Sequence, residues 1–263
     1  MPFHDTNFLR LFQFESFKQF RLTQAVFTRQ GGVSQSPYAA LNVGATVGDD
    51  INHVVQNLDL IFESVNRPRD SIFDSWLVHG TNAIVAEKPR PPEWERPPQA
   101  DIILTDNPSV SLFMRYADCL PLLFYDAQNH AIGLGHAGWK GTVLKVGQRM
   151  LEEMNKAFGT EPAHVHAAIG PGICSEHYEI GLEVAAQVRT VFGSDAESLL
   201  PGSNGSIYFD LAAANRLTLL QAGVVNIDDA GLCTASNTDD WFSHRAEGGR
   251  TGRFGVLLAL DPR

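Results

Sequence analysis

Two apolar runs on either side of one polar turn constrain the fold of this chain more than any other feature. Tyr116-Ala-Asp-Cys-Leu-Pro-Leu-Leu-Phe-Tyr-Asp126 is followed, after Ala127-Gln-Asn-His130, by Ala131-Ile-Gly-Leu-Gly-His-Ala-Gly-Trp-Lys-Gly141. The segment Asp126-Ala-Gln-Asn129 is turn chemistry, so a β-hairpin is expected. With the turn centred between Ala127 and Gln128, Cys119 stands opposite His136. Directly opposed side chains have Cβ atoms about 4.5–5.5 Å apart, close enough for a thiolate and an imidazole to share a metal ion or exchange a proton. A slip of one residue would put them on opposite faces.

The rest of the chain reads as clustered strands with helices between the clusters. Asp49-Asp50 can cap a helix with Val54, Val55, Leu58, Ile61, Phe62 and Val65 on one face. Further helices are expected from about Gly141 to Phe158 (Leu144, Leu151 and Met154 apolar, Gly159 as stop), over Gly181–Phe192, and after Asp210 up to Gly223. Strands are expected at Ala25–Thr28, Trp76–His79, Ala83–Ala86, Ile102–Thr105, Val110–Tyr116, Leu122–Tyr125, Ala131–Gly135, Val165–Ile169, Val224–Ile227 and Phe254–Leu260. This grouping favours an α+β fold over a doubly wound parallel sheet. Pro89–Pro98 holds five of the 14 prolines and reads as an extended surface loop. Because the strands on both sides of it look like parts of one sheet, residues 1–263 are expected to form a single domain.

Composition narrows the function classes. The 263 residues carry 20 Lys plus Arg against 30 Asp plus Glu, a net charge of −10. That balance argues against nucleic acid as a partner, since phosphate-backbone binding needs clustered cations. No apolar run is long enough for a membrane span, and Met1-Pro2-Phe3-His4-Asp5 does not resemble a signal peptide. The three cysteines, Cys119, Cys174 and Cys233, are far apart and odd in number, which fits a reducing, cytoplasmic setting.

The hairpin leaves two chemistries open. In one, Cys119 and His136 are metal ligands with His79 as the third, from Leu77-Val-His-Gly80 at the end of an apolar run. Catalytic zinc takes Cys sulfur and His nitrogen and keeps one coordination position open. In the other, Cys119 is a nucleophile and His136 its base. Cys174 and Cys233 are assigned to packing. His4, His53, His130, His164, His166, His177 and His244 are read as solvent-facing or structural.

The order of motifs along the chain resembles the YfiH-type family, also described as multicopper polyphenol oxidoreductase laccase-domain proteins, peptidoglycan editing factors or purine nucleoside phosphorylases. The resemblance rests on Thr28-Arg-Gln-Gly-Gly-Val-Ser34, Leu41-Asn-Val-Gly44, Val47-Gly-Asp-Asp50, Val78-His-Gly80, Ala100-Asp-Ile-Ile-Leu-Thr-Asp106, Ala117-Asp-Cys-Leu-Pro121, His136-Ala-Gly-Trp-Lys-Gly141, Ile169-Gly-Pro-Gly-Ile173 and Phe242-Ser-His-Arg245. It implies a single domain of cysteine-hydrolase-like α+β fold, with mixed sheets and flanking helices. It also implies a metal triad at His79, Cys119 and His136, with zinc as the cofactor and copper as the older description. The implied activities are phosphorolysis of adenosine, inosine and methylthioadenosine, and deamination of adenosine. The alternatives are editing of serine-containing peptidoglycan precursors and laccase-like oxidation of phenols. The chain departs from the family pattern at Leu77, His244 and Ala246, where Gln, Tyr and Arg are common, and these departures fall on the substrate side.

Phosphate and a nucleoside are thus the expected small-molecule partners, for a monomer or small homo-oligomer. Arg29, within Arg29-Gln-Gly-Gly32, and Arg245, in a run of three arginines interleaved with glycine up to Arg253, are the expected substrate-side groups, with Asn42 as a third. Asp118, beside the proposed ligand Cys119, is expected either as a general acid–base or as a partner that orients a ligand histidine. Gly170-Pro-Gly172 is read as a tight turn.

Overall fold

The computed structural model describes residues 2–6, 9–91, 93, 96–203 and 205–262. Two six-stranded mixed sheets form the frame. The first runs in the order Phe3–Thr6, Leu9–Phe12, Leu22–Phe27, Phe254–Leu260, Ser111–Tyr116 and Ile72–Asp74. The second runs Asn226–Asp229, Val165–Ile169, Leu120–Asp126, Ala131–Ala137, Ile102–Thr105 and Ala83–Val85. A small third sheet joins Glu179–Ile180, Ser206–Tyr208 and Gly202–Ser203.

Strand alternation sorts the core into layers. Val26, Leu112, Met114, Val256 and Leu258 of the first sheet meet Ile103, Leu123, Ile132 and Leu134 of the second in one apolar layer. The opposite face of the first sheet, with Phe27, Phe113 and Leu257, is covered by Val54, Leu58, Ile61 and Phe62 of helix Ile51–Ser64. The opposite face of the second sheet packs on Met150 and Met154 of helix Val146–Phe158, Val188 of Leu182–Phe192 and Leu219 of Leu211–Gln221. The result is an α+β arrangement of helix, sheet, sheet and helices, as the clustering of strands implies. Asp50 and Asp210 cap their helices by accepting the N–H groups of Asn52 and Ala213, each contact being worth about 1 kcal/mol.

Two local expectations need correction. The helix expected over Gly141–Phe158 is two helices, Trp139–Val143 and Val146–Phe158, because Lys145 adopts φ +57° and Leu144 turns outward. Trp76–His79 is not a strand. The strand lies earlier, at Ile72–Asp74, and the chain turns at His79, whose φ is +58°. Of the loop expected over Pro89–Pro98, Pro92, Trp94 and Glu95 lie outside the described residues; its far end pairs with the chain, Pro98 O accepting the Trp76 N–H.

The hairpin forms, in a shifted register. Asp126 pairs with Ala131, and Pro121, rather than Cys119, stands opposite His136. Asp126 accepts the backbone N–H groups of Gln128 and Asn129 and the side-chain amide of Asn129, so the loop is longer than a two-residue turn. A shift of two residues keeps every side chain on its own face. Cys119 and His136 therefore remain on the same side, as diagonal rather than direct neighbours.

Candidate metal centre

His79, Cys119 and His136 converge where the hairpin ends meet the turn after Ile72–Asp74. One ligand atom from each lies within 4.8 Å of the other two. His136 is buried on its strand, Cys119 is half-buried just before Leu120–Asp126, and His79 is exposed. The two imidazole rings stand edge to face with centroids 4.9 Å apart. Gly138 makes this approach possible, since a Cβ there would lie 2.9 Å from Cys119 Sγ and 3.3 Å from the His79 ring.

One buried carboxylate organises two of the three. Asp101 Oδ1 lies 2.9 Å from His136 Nδ1 and accepts the His79 backbone N–H at 3.0 Å. Its Oδ2 accepts the N–H groups of Gly80 and Val78 at 2.7 and 3.2 Å. These bonds replace a strand partner for the Val78–Gly80 turn, which is why that apolar run does not extend as a strand. They also leave Nε2 as the remaining donor atom of His136. Burial alone would raise the Asp101 pKa, but its bonds from His136 and the Gly80 amide bring it below the usual value.

Electrostatics couple the thiol and the ring. Burial raises the Cys119 pKa, yet the charge of His136 and hydrogen bonds to His136 and His79 outweigh it and bring the value to about 6. Burial likewise disfavours the imidazolium of His136, and Cys119 and Asp101 reverse that, raising it to about 9. In the metal-free chain the pair is thus thiolate and imidazolium at neutral pH. A thiolate with two imidazoles is a donor set that suits zinc, and imidazole with thiolate also suits copper.

The three residues lie in a cleft of about 670 Å³. Of the residues expected on the substrate side, Arg245 lines it, whereas Arg29 and Asn42 do not; Asp118, expected as an acid–base or orienting group, lines it too. The Arg29 guanidinium donates to the carbonyls of Ala39 and Thr238, pairs with Glu247 and stacks over Phe242 at 4.3 Å. It ties the Gly-Gly loop to the C-terminal segment. Asn42 is fully buried and acts through a neighbour, its Oδ1 accepting the Arg253 backbone N–H at 2.8 Å.

Asp118 does not contact a ligand histidine through the bonds it makes. Its carboxylate accepts the Thr234 hydroxyl and the Arg245 backbone N–H, both at 2.7 Å. Its backbone is at φ +86°, a conformation Asp tolerates better than most side chains. Arg245 in turn donates to the carbonyls of His177 and Glu179 and lies over the Tyr178 ring.

The fold adds cleft residues to those singled out in the sequence, and it brings Leu77 and His244, two of the departures from the family pattern, to the lining. Arg253 lines the cleft close enough to feel the charges of Cys119 and Asp118. Trp76, Trp139, Tyr178 and His244 also face it. Among the described residues neither Arg245 nor Arg253 forms an ion pair with a carboxylate, whereas Arg115 in the same wall is bound to Asp74. His177 is exposed, as expected of a solvent-facing histidine, and Cys174 and Cys233 are half-buried, but the three are not scattered. Their donor atoms form a second convergent group, again within 4.8 Å of one another. The close spacing Cys174-Ser-Glu-His177 was the signal for it.

With this geometry in view, similarity to known proteins is decisive. Residues 23–261 match the multi-copper polyphenol oxidoreductase laccase family. The chain belongs to that family. A purine nucleoside phosphorylase of Deinococcus radiodurans is 40% identical over 239 residues, covering 91% of this chain and 89% of the relative. The purine nucleoside phosphorylase YlmD of Bacillus subtilis is 34% identical over 240 residues, covering 89% and 86%. The crystal structure of YlmD from Geobacillus stearothermophilus superposes with TM-score 0.92 at 28% identity over 99% of both chains. That of a hypothetical protein YfiH from Bacillus licheniformis gives 0.91 at 29%, again over 99% of both. Laccase-family membership thus extends over almost the whole chain. No helix among the described residues is long and apolar enough to cross a membrane.

Proposed function

We propose that this chain is a zinc-dependent purine nucleoside phosphorylase that uses inorganic phosphate on adenosine, inosine and methylthioadenosine, and that the same centre deaminates adenosine. Residues 1–263 then work as one domain on cytoplasmic metabolites. The observation that carries the proposal is the joint presence, in one cleft, of a His–Cys–His donor set, broad aromatic walls and two arginines that have no carboxylate partner among the described residues. The names of the relatives point the same way.

His79, Cys119 and His136 would hold the metal. A zinc ion there supplies a Lewis acid that polarises a substrate oxygen or nitrogen and brings the pKa of water toward about 7. The protein's own groups do the rest. Trp76, Trp139 and Tyr178 present flat apolar surfaces suited to a purine ring. Arg245 and Arg253 supply the positive charge that a phosphate needs, and Asp118 and Asn42 fix the backbone from which each projects. In phosphorolysis a phosphate oxygen bonds to ribose C1′ as the C1′–N9 bond breaks, and the departing purine takes up a proton. Holding phosphate and nucleoside against each other is therefore the main task of the cleft.

A second reading has its own observation. The thiolate–imidazolium character of Cys119 and His136 suits an amide hydrolase acting on serine-containing peptidoglycan precursors, without any metal. The two part company under a substrate panel. Purified protein given inosine and phosphate is expected to form hypoxanthine and ribose 1-phosphate, resolved by chromatography, and chelation is expected to stop it. Consumption of a serine-linked muropeptide that survives chelation, with inosine untouched, overturns the proposal. Phenol oxidation that depends on added copper, again with inosine untouched, would restore the laccase description.

A further inference from the structure

The second group of donors shares no residue with the first, and none of its three residues lines the cleft. Cys174 Sγ is 3.3 Å from His177 Nδ1, and Cys233 Sγ is 3.8 Å from the same nitrogen. Ser236 Oγ is 3.4 Å from that nitrogen and 4.0 Å from Cys174 Sγ. Both cysteines are free thiols and half-buried, and His177 is exposed.

We propose that Cys174, His177 and Cys233 form a second metal site for a thiophilic cation of the zinc class, with Ser236 or a water at the fourth position. A tetrahedral zinc with Zn–S of about 2.3 Å and Zn–N of about 2.0–2.1 Å sets its donors roughly 3.5–3.8 Å apart. The observed sulfur–nitrogen separations bracket that range. A disulfide would instead need the sulfurs at about 2.05 Å.

The backbone holds these donors in place without the metal. Cys174 precedes the tight turn Ser175–His177 and His177 is its last residue, which brings the two side chains together. Cys233 comes from a distant segment, locked in register because Gly172 donates to Leu232 O and Thr234 donates to Gly172 O. The Cys174 N–H donates to Cys233 Sγ at 3.2 Å, a contact that stabilises negative charge on that sulfur. Two thiolates and one imidazole make a set richer in sulfur than His79, Cys119 and His136, so the two sites differ in their preference for soft cations. The Cys174–Glu179 segment is also the one whose His177 and Glu179 carbonyls Arg245 grips. A cation there would brace the segment on which Arg245 and Tyr178 of the cleft rest. Nothing in this second site depends on the activity proposed for the first.

Metal counting in the full-length protein tests it. The chain is stripped with chelator under reducing conditions, reloaded with Zn²⁺, desalted and analysed by mass spectrometry. The wild type is expected to hold about two equivalents. The pair C174S/C233S is expected to hold about one, as is the pair H79A/C119S. Loading with Co²⁺ gives an independent readout, a thiolate-to-metal charge-transfer band expected to fall to about one third in C174S/C233S. H177A removes only an exposed ring, and its loss of the second equivalent supports the site even if the double variant does not fold. A wild type with a single equivalent, unchanged by C174S/C233S and by H177A, overturns the proposal. So does a Cys174–Cys233 disulfide that persists after reduction and reloading. Failure of the first site would show differently, as no change in H79A/C119S.

Discussion

Asp101 and His136 are joined by a 2.9 Å contact between Oδ1 and Nδ1, and the same oxygen accepts the His79 amide. A single buried carboxylate thus sets the ring orientation of one proposed ligand and the backbone of another. Asp101→Asn cannot accept at both oxygens. It is expected to lower zinc affinity by about 10–100-fold while leaving the fold intact. Competition against a chromophoric chelator measures this directly, with circular dichroism as the folding control. An unchanged affinity would remove Asp101 from the account.

The arginines separate by role. Arg253 lines the cleft, has no carboxylate partner among the described residues and donates to the carbonyls of Thr251 and Gly252 in its own segment, so Arg253→Ala is expected to raise KM for phosphate about tenfold and to cost less stability than Arg29→Ala. Arg29 is bound to carbonyls, to Glu247 and to Phe242, away from the cleft. Arg29→Ala is expected to destabilise the protein by roughly 2–3 kcal/mol, the scale of losing hydrogen bonds to a charged group. Denaturant titration and phosphate kinetics on both variants check the division. A normal Tm with a raised KM for Arg29→Ala would reverse it.

Asp118 offers a sharper distinction. Its two oxygens accept from Thr234 and the Arg245 backbone. An asparagine can keep both contacts, with its oxygen toward the Arg245 N–H and its amide toward the Thr234 hydroxyl. Asp118→Asn is therefore expected to keep activity within about tenfold, whereas Asp118→Ala frees the Arg245 loop and loses the positioning it provides. A general base would give the opposite pattern, since asparagine cannot take a proton. Near-total loss of kcat in Asp118→Asn, with KM unchanged, would restore the acid–base role.

The Cys119–His136 pair predicts a pH dependence for metal-stripped protein. Cys119 is held at about 6, against about 8.5 for an ordinary cysteine. The thiolate is present above that value and is lost as pH falls through it. Alkylation of Cys119 by iodoacetamide, followed on its peptide by mass spectrometry, is expected to reach half its plateau near pH 6. His136→Ala removes the largest favourable influence and is expected to move the midpoint upward. A wild-type midpoint near that of a free cysteine would contradict the geometry.

Much of this site could be read from the sequence because its two central residues sit on one hairpin. Alternation preserves facing even when register shifts by two, so Cys119 and His136 stay on one side although Asp126 lengthens the loop. The layered α+β frame follows from strand clustering and from Asp and Gly signals at helix ends. What could not be read depended on contacts between distant segments. Asp101 looks like a polar residue opening an apolar strand, and nothing local says that three amides of Val78–Gly80 fold onto it. Arg29 and Arg253 are equally cationic in the sequence, and only the fold decides that one is enclosed and the other faces the cleft. Cys233 meets Cys174 through the pairing of Gly172 with its neighbours, which no local pattern announces.

The most direct measurement is turnover of inosine with phosphate, set beside metal content, in wild-type and Cys119→Ala protein before and after zinc is returned to the stripped enzyme. The wild type should lose turnover on stripping and regain it with zinc, and Cys119→Ala should stay inactive though folded. Full turnover by the stripped wild type, or by Cys119→Ala, would contradict the claim that His79, Cys119 and His136 act by gripping one cation.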